Sequence, residues 1–94
     1  MRHVARKVDY ELSEVQAAGV YIAAEPFRWA EHPAEFVLRV KAEEFARKRF
    51  EAYAPSIGVG CRELMVAIRK AGSREVVKVF RFKARVTVQP ELVA

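Results

Sequence analysis

The stretch from Leu64 to Val88 limits the fold more than any other part of the chain. Leu64, Val66 and Ile68 recur at the two-residue period of a strand, Gly72 marks a turn, and Glu75 to Val88 forms a second arm. If Ala71-Gly72-Ser73 is the loop and Lys70 faces Arg74, then Ile68 meets Val76 and Leu64 meets Phe80 on one face. On the other face Arg69 meets Glu75, Ala67 meets Val77, Met65 meets Val79 and Glu63 meets Arg81. The second arm, at about 14 residues or roughly 45 Å when extended, outruns the first. Its far end therefore needs another strand, and residues 4–12 are the natural partner. The hairpin is also apolar on both faces near its turn: Val66, Ile68 and Val76 on one side, Met65, Ala67, Val77 and Val79 on the other. One helix covers one face. The second strip is covered by the Phe27/Trp29 loop, by another chain, or by nothing.

Residues 4–12 alternate, with Val4, Val8, Tyr10 and Leu12 on one face and Ala5, Lys7, Asp9 and Glu11 on the other, as a half-buried strand does. Ser13-Glu-Val-Gln16 has the form of a capping box, and Gly19 could stop a short helical turn. Val20 to Ala24 reads as a second strand, and Pro26 and Pro33 bracket a loop. Phe36, Leu38 and Val40 give a third strand over 36–41. In 42–54, Ala42, Phe45, Ala46, Phe50 and Tyr53 fall on one helical stripe. Glu43 with Arg47, and Glu44 with Lys48, are spaced for ion pairs on its outer faces, and Pro55 should end the helix. The expected fold is a single α+β domain over 1–94. It has one antiparallel or mixed sheet of four or five strands and one main helix on a face, in the order β-β-β-α-β-β.

Charge is uneven along this frame. Residues 1–47 carry 7 basic and 8 acidic side chains, whereas residues 48–94 carry 10 and 4. Such a basic half suits an anionic partner. Arg81, Lys83 and Arg85 alternate on one side of the last strand and could track phosphates, with Arg28 and Trp29 adding stacking or anchoring. The same row is also what a solvated sheet face looks like, and Phe27 and Trp29 could instead plug the core. A second functional reading uses the apolar side of the hairpin, Met65, Val77 and Val79, as a homodimer or adaptor interface.

No motif points to catalysis, and the chain is expected to be a non-enzymatic binding module. Asp9 is the one aspartate, and no histidine is spaced to activate Ser13, Ser56 or Ser73. His3, His32 and Cys61 lack metal-ligand spacing, so no metal and no cofactor are expected. Ile57-Gly-Val-Gly60 leads into a strand, unlike a dinucleotide loop. The lone Cys61 excludes an intramolecular disulfide and reads as structural. Met1 to Lys7 is not followed by a long apolar stretch, so a cytoplasmic location without membrane contact is expected.

Overall fold

The computed structural model describes residues 6–57, 60–86 and 91–93, with side chains for 6–53 and 62–84. β1 (Lys7–Gln16) turns through Ala17–Gly19 into β2 (Val20–Ala30), and α1 (Glu35–Ile57) follows. β3 (Gly60–Lys70), β4 (Val76–Val86) and β5 (Glu91–Val93) complete the described chain. The strands form one antiparallel sheet in the order β2-β1-β3-β4-β5. Because β2 and β3 both flank β1, α1 must carry the chain across β1, and it packs along one face. The α+β class with one sheet and one helix is as expected; the element order is not.

The first difference is at 36–41, which is helix. Leu38 lies four residues before Ala42, so it extends the stripe of Ala42, Phe45, Ala46 and Phe50 by one turn, and all five are buried. Phe36 and Val40, which suggested a strand, lie on the outward side at 69% and 46% exposure. Three alternating residues are too few to outweigh four turns of helical periodicity. The helix also runs past Pro55 to Ile57. Neither expected ion pair, Glu43–Arg47 or Glu44–Lys48, closes within 4 Å; Lys48 reaches across to Glu25 at 2.9 Å.

The second difference is β2, which continues to Ala30. Glu25, Phe27 and Trp29 stand opposite Leu12, Tyr10 and Val8 on the α1 face, and Phe27 stacks on Tyr10 with 5.2 Å between centroids. Pro26 is tolerated because β2 is an edge strand. Ser13 to Gln16, expected as a helix cap, extends β1. The turn itself is one short 3-10 segment in which Ala18 and Gly19 take positive φ of 67° and 72°.

The third difference is the hairpin register. Leu64 stands opposite Phe82, Val66 opposite Phe80 and Ala67 opposite Val79, two residues from the expected pairing. An even displacement keeps each residue from Lys78 onward on its face. It arises because the connection is longer. Lys70 N–H donates to Glu75 O at 2.9 Å, Arg74 N–H donates to Lys70 O at 2.8 Å, and Arg74 adopts φ 60°. A bulge then places Ile68 opposite Lys78 but Arg69 opposite Val76, leaving Val77 as the extra residue. The far end of β4 pairs with β5, not β1; β1 pairs with β3.

Candidate nucleic-acid interface

On β1 the even residues Tyr10, Leu12 and Glu14 face α1, so Asp9, Glu11, Ser13 and Val15 face the other way. Strand pairing carries this assignment across the sheet. Tyr21 and Arg28 of β2, Glu63, Met65, Ala67 and Arg69 of β3, and Val79, Arg81 and Lys83 of β4 share that second face. Among the described residues no element packs over it. We call it the open face.

Ser13 and Ala67 are nonetheless fully buried there. They stand opposite each other, and larger side chains close over them. Arg69 donates to Glu11 Oε1 at 2.7 Å, and its guanidinium carbon lies 3.8 Å from the Tyr21 ring centroid. Glu11 precedes Ser13 and Tyr21 stands opposite Val15, so the stacked pair spans the position of Ser13. The fit leaves Arg69 Nε buried without an acceptor, a polar desolvation that the stack and the ion pair must offset.

The expected phosphate contacts lie at the other side of this face. Arg81 is 70% exposed at its side chain and reaches Glu63 only at 3.9 Å. Lys83 stands opposite Glu63 and is exposed. Arg85 continues the row by its backbone, while its side chain lies outside the described ones. Four other cations have carboxylate partners at 3.2 Å or less: Arg49 with Glu14, Arg69 with Glu11, Lys48 with Glu25 and Lys78 with Glu35.

Arg28 and Trp29 do not join that row. Arg28 is on the open face beside Asp9 at 3.5 Å, roughly 20 Å along the strands and roughly 14 Å across them from Arg81. Trp29 points to the α1 face, with Lys7 Nζ at 5.6 Å and Lys41 Nζ at 5.8 Å from its ring centroid. It is neither a core plug nor a member of the β4 row: 37% of it is exposed at the rim. Of the expected apolar interface, Met65 and Val79 are on the open face, Val79 at 42% exposure. Val77 packs against the main core instead, because the bulge changes the phase of β4 at its start.

A second polar cluster lies under α1. Glu14 is buried and takes a hydrogen bond from Arg49 Nε at 2.9 Å, while the Tyr53 hydroxyl lies 2.8 and 2.7 Å from its two oxygens. Arg49 Nη2 donates to that hydroxyl at 3.1 Å, and the bond to Glu14 raises the Arg49 pKa. The guanidinium carbon of Arg62 lies 4.5 Å from the Tyr53 ring centroid. Sequence reasoning missed this cluster, although a signal exists: Glu14 continues the apolar face of Tyr10 and Leu12, and a carboxylate there needs a partner.

Among the described residues no three His, Cys, Asp or Glu side chains gather as metal ligands, and no helix is long and apolar enough to cross a membrane. His32 is exposed between β2 and α1; His3 and the Cys61 side chain lie outside the described set. No family model, no curated protein and no solved structure matches the chain.

Proposed function

We propose that the chain is a non-enzymatic binding module that holds a nucleic-acid strand against the open face, with Arg81, Lys83 and Arg85 along the phosphates. The observation that carries this reading is the weak neutralisation of this row: Arg81 and Lys83 project from an uncovered face, with Glu63 no nearer than 3.9 Å to Arg81, while Arg69 on the same face is tied to Glu11 at 2.7 Å. Three phosphate contacts give log affinity against log salt a slope of roughly −2 to −3. Replacing Arg81, Lys83 and Arg85 together by Gln should flatten that slope and weaken binding at low salt. Salt-insensitive binding, or a triple variant that binds like the parent, rejects the reading.

Exposed Val79 beside Met65 favours a second reading, in which the open face packs on a protein, most simply a second copy. Val79→Lys should then convert a dimer to a monomer in light scattering. A mass unchanged by the substitution counts against it.

A further inference from the structure

One backbone edge inside the sheet is left unpaired. β3 begins at Gly60, yet its pairing with β1 runs only from Lys70 to Met65, which stands opposite Val15. β1 ends one residue later at Gln16 and turns away through Ala17–Gly19. Residues Gly60 to Leu64 are thus paired with β4 on one side, while no described residue pairs with them on the other. The place that a longer β1 would fill is a notch of about 370 Å³ lined by Glu14, Gln16, Ala17, Arg62, Glu63 and Leu64.

The outer edges are guarded. β4, which β5 covers only from Lys83 to Arg85, carries the bulge at Val77 and the charges of Lys78 and Arg81. β2 carries Pro26, which has no N–H to offer, and a bulge opposite Ser13 where Ala23 takes φ 57°. Both devices discourage strand addition. The β3 edge has neither between Arg62 and Leu64, where the backbone pairs regularly with β4.

We infer that this notch accepts an extended peptide segment as an added strand, antiparallel to β3 and in line with β1. Main-chain hydrogen bonds supply the attraction and side chains the selectivity. The register fixes the order of those side chains. Gln16, the last residue of β1, lies beside Leu64 in this register, so the added strand, read from its N-terminus, stands opposite Glu63 and then Arg62. Glu63 faces the open side and calls for a cation. Arg62 faces the α1 side, is exposed, and has no carboxylate partner among the described residues, so it calls for an acid. The partner is therefore an extended segment that begins basic, acidic.

A nitrogen-15 NMR titration of the full chain with acetyl-Lys-Glu-Val-Thr-amide tests this. Saturable shifts are expected at the amides of Arg62, Glu63, Leu64 and Gln16. The charge-swapped peptide acetyl-Glu-Lys-Val-Thr-amide should bind about fivefold more weakly, and Arg62→Glu should narrow or reverse that preference. A backbone N-methylated peptide should not bind. No saturable shift at those amides overturns the inference, as does equal binding of the N-methylated peptide. So does slow hydrogen exchange, in the free chain, of those among these amides that point into the notch and not toward β4, which would mean that another part of the same chain already fills it.

Discussion

On one face of β1, Tyr10 and Leu12 are buried in a cluster with Leu38, Phe45 and Phe50 of α1; on the other, Ser13 is buried under the side chains of its own sheet. The α1 face gains its burial from long-range packing between two layers. The open face gains it from a guanidinium, a carboxylate and a phenol ring that fold down over two small residues. A single-layer face can thus be shielded at its centre while its margins stay in water. That division leaves Arg81, Lys83 and Val79 outside the shield, where a partner can reach them.

The largest expected effect breaks the comparison at its apolar end. Phe50→Ala empties a fully buried site under α1 and should cost about 3–5 kcal/mol. For a domain of this size that is a large share of total stability. Val79→Ala on the open face should stay within about 0.5 kcal/mol. Urea unfolding of the two variants checks the contrast. Similar losses would mean that the open face is also packed, as a constitutive dimer would require.

Next in size is the ion cluster. Glu14→Gln leaves Arg49 without its carboxylate in a largely buried place, so a loss of about 2–3 kcal/mol is expected. Changing Arg49 to Met in the same chain should recover part of it, since removing both charges costs less than stranding one. Failure of the second substitution to recover any stability would show that the Tyr53 contact, not the ion pair, holds this end of α1.

Much of this contrast was legible in the chain itself. Strand faces survive the misjudged hairpin register because a two-residue displacement preserves alternation: Leu64, Val66 and Phe80 are buried as read. The loop length was not legible, because the left-handed conformation falls on Arg74 and not on Gly72, and nothing in the sequence marks Val77 as a bulge. The Arg69–Tyr21 pair was hidden for a different reason. Its partners lie on β2 and β3, which the α1 crossover brings to either side of β1, and no local pattern encodes that. Arg81 and Lys83 were readable as one row because they share a strand, whereas Arg28 and Trp29, adjacent in sequence, part to opposite faces. The reading of 26–33 as a loop removed the alternation that would have separated them.

A smaller effect sharpens the comparison from the open side. If the Arg69–Tyr21 stack shields Ser13, then Arg69→Ala and Tyr21→Ala should not add. A coupling of about 1 kcal/mol is expected from a double-mutant cycle. Additive losses would mean that each side chain contributes separately and that the stack shields nothing.

The last contrast vanishes at neutral pH. Tyr10 is buried on the α1 face, with its hydroxyl 2.8 Å from Ala30 O and 2.9 Å from Glu31 O. Burial raises its pKa above the ordinary value of 10.0. The folded state therefore holds this proton more tightly than the unfolded state does. Its contribution is fully present below pH 10 and is lost as pH rises through the folded-state pKa. Between those limits the unfolded chain releases the proton first, so stability falls with rising pH. Tyr10→Phe removes the titrating group. The variant starts lower by about 1 kcal/mol for the lost hydrogen bond, but its stability should decline less steeply above pH 10. Chemical unfolding from pH 8 to 11 separates the two curves. Parallel alkaline limbs would show that Tyr10 ionises as readily in the fold as out of it, and that the α1 face admits water at the β1–β2 end.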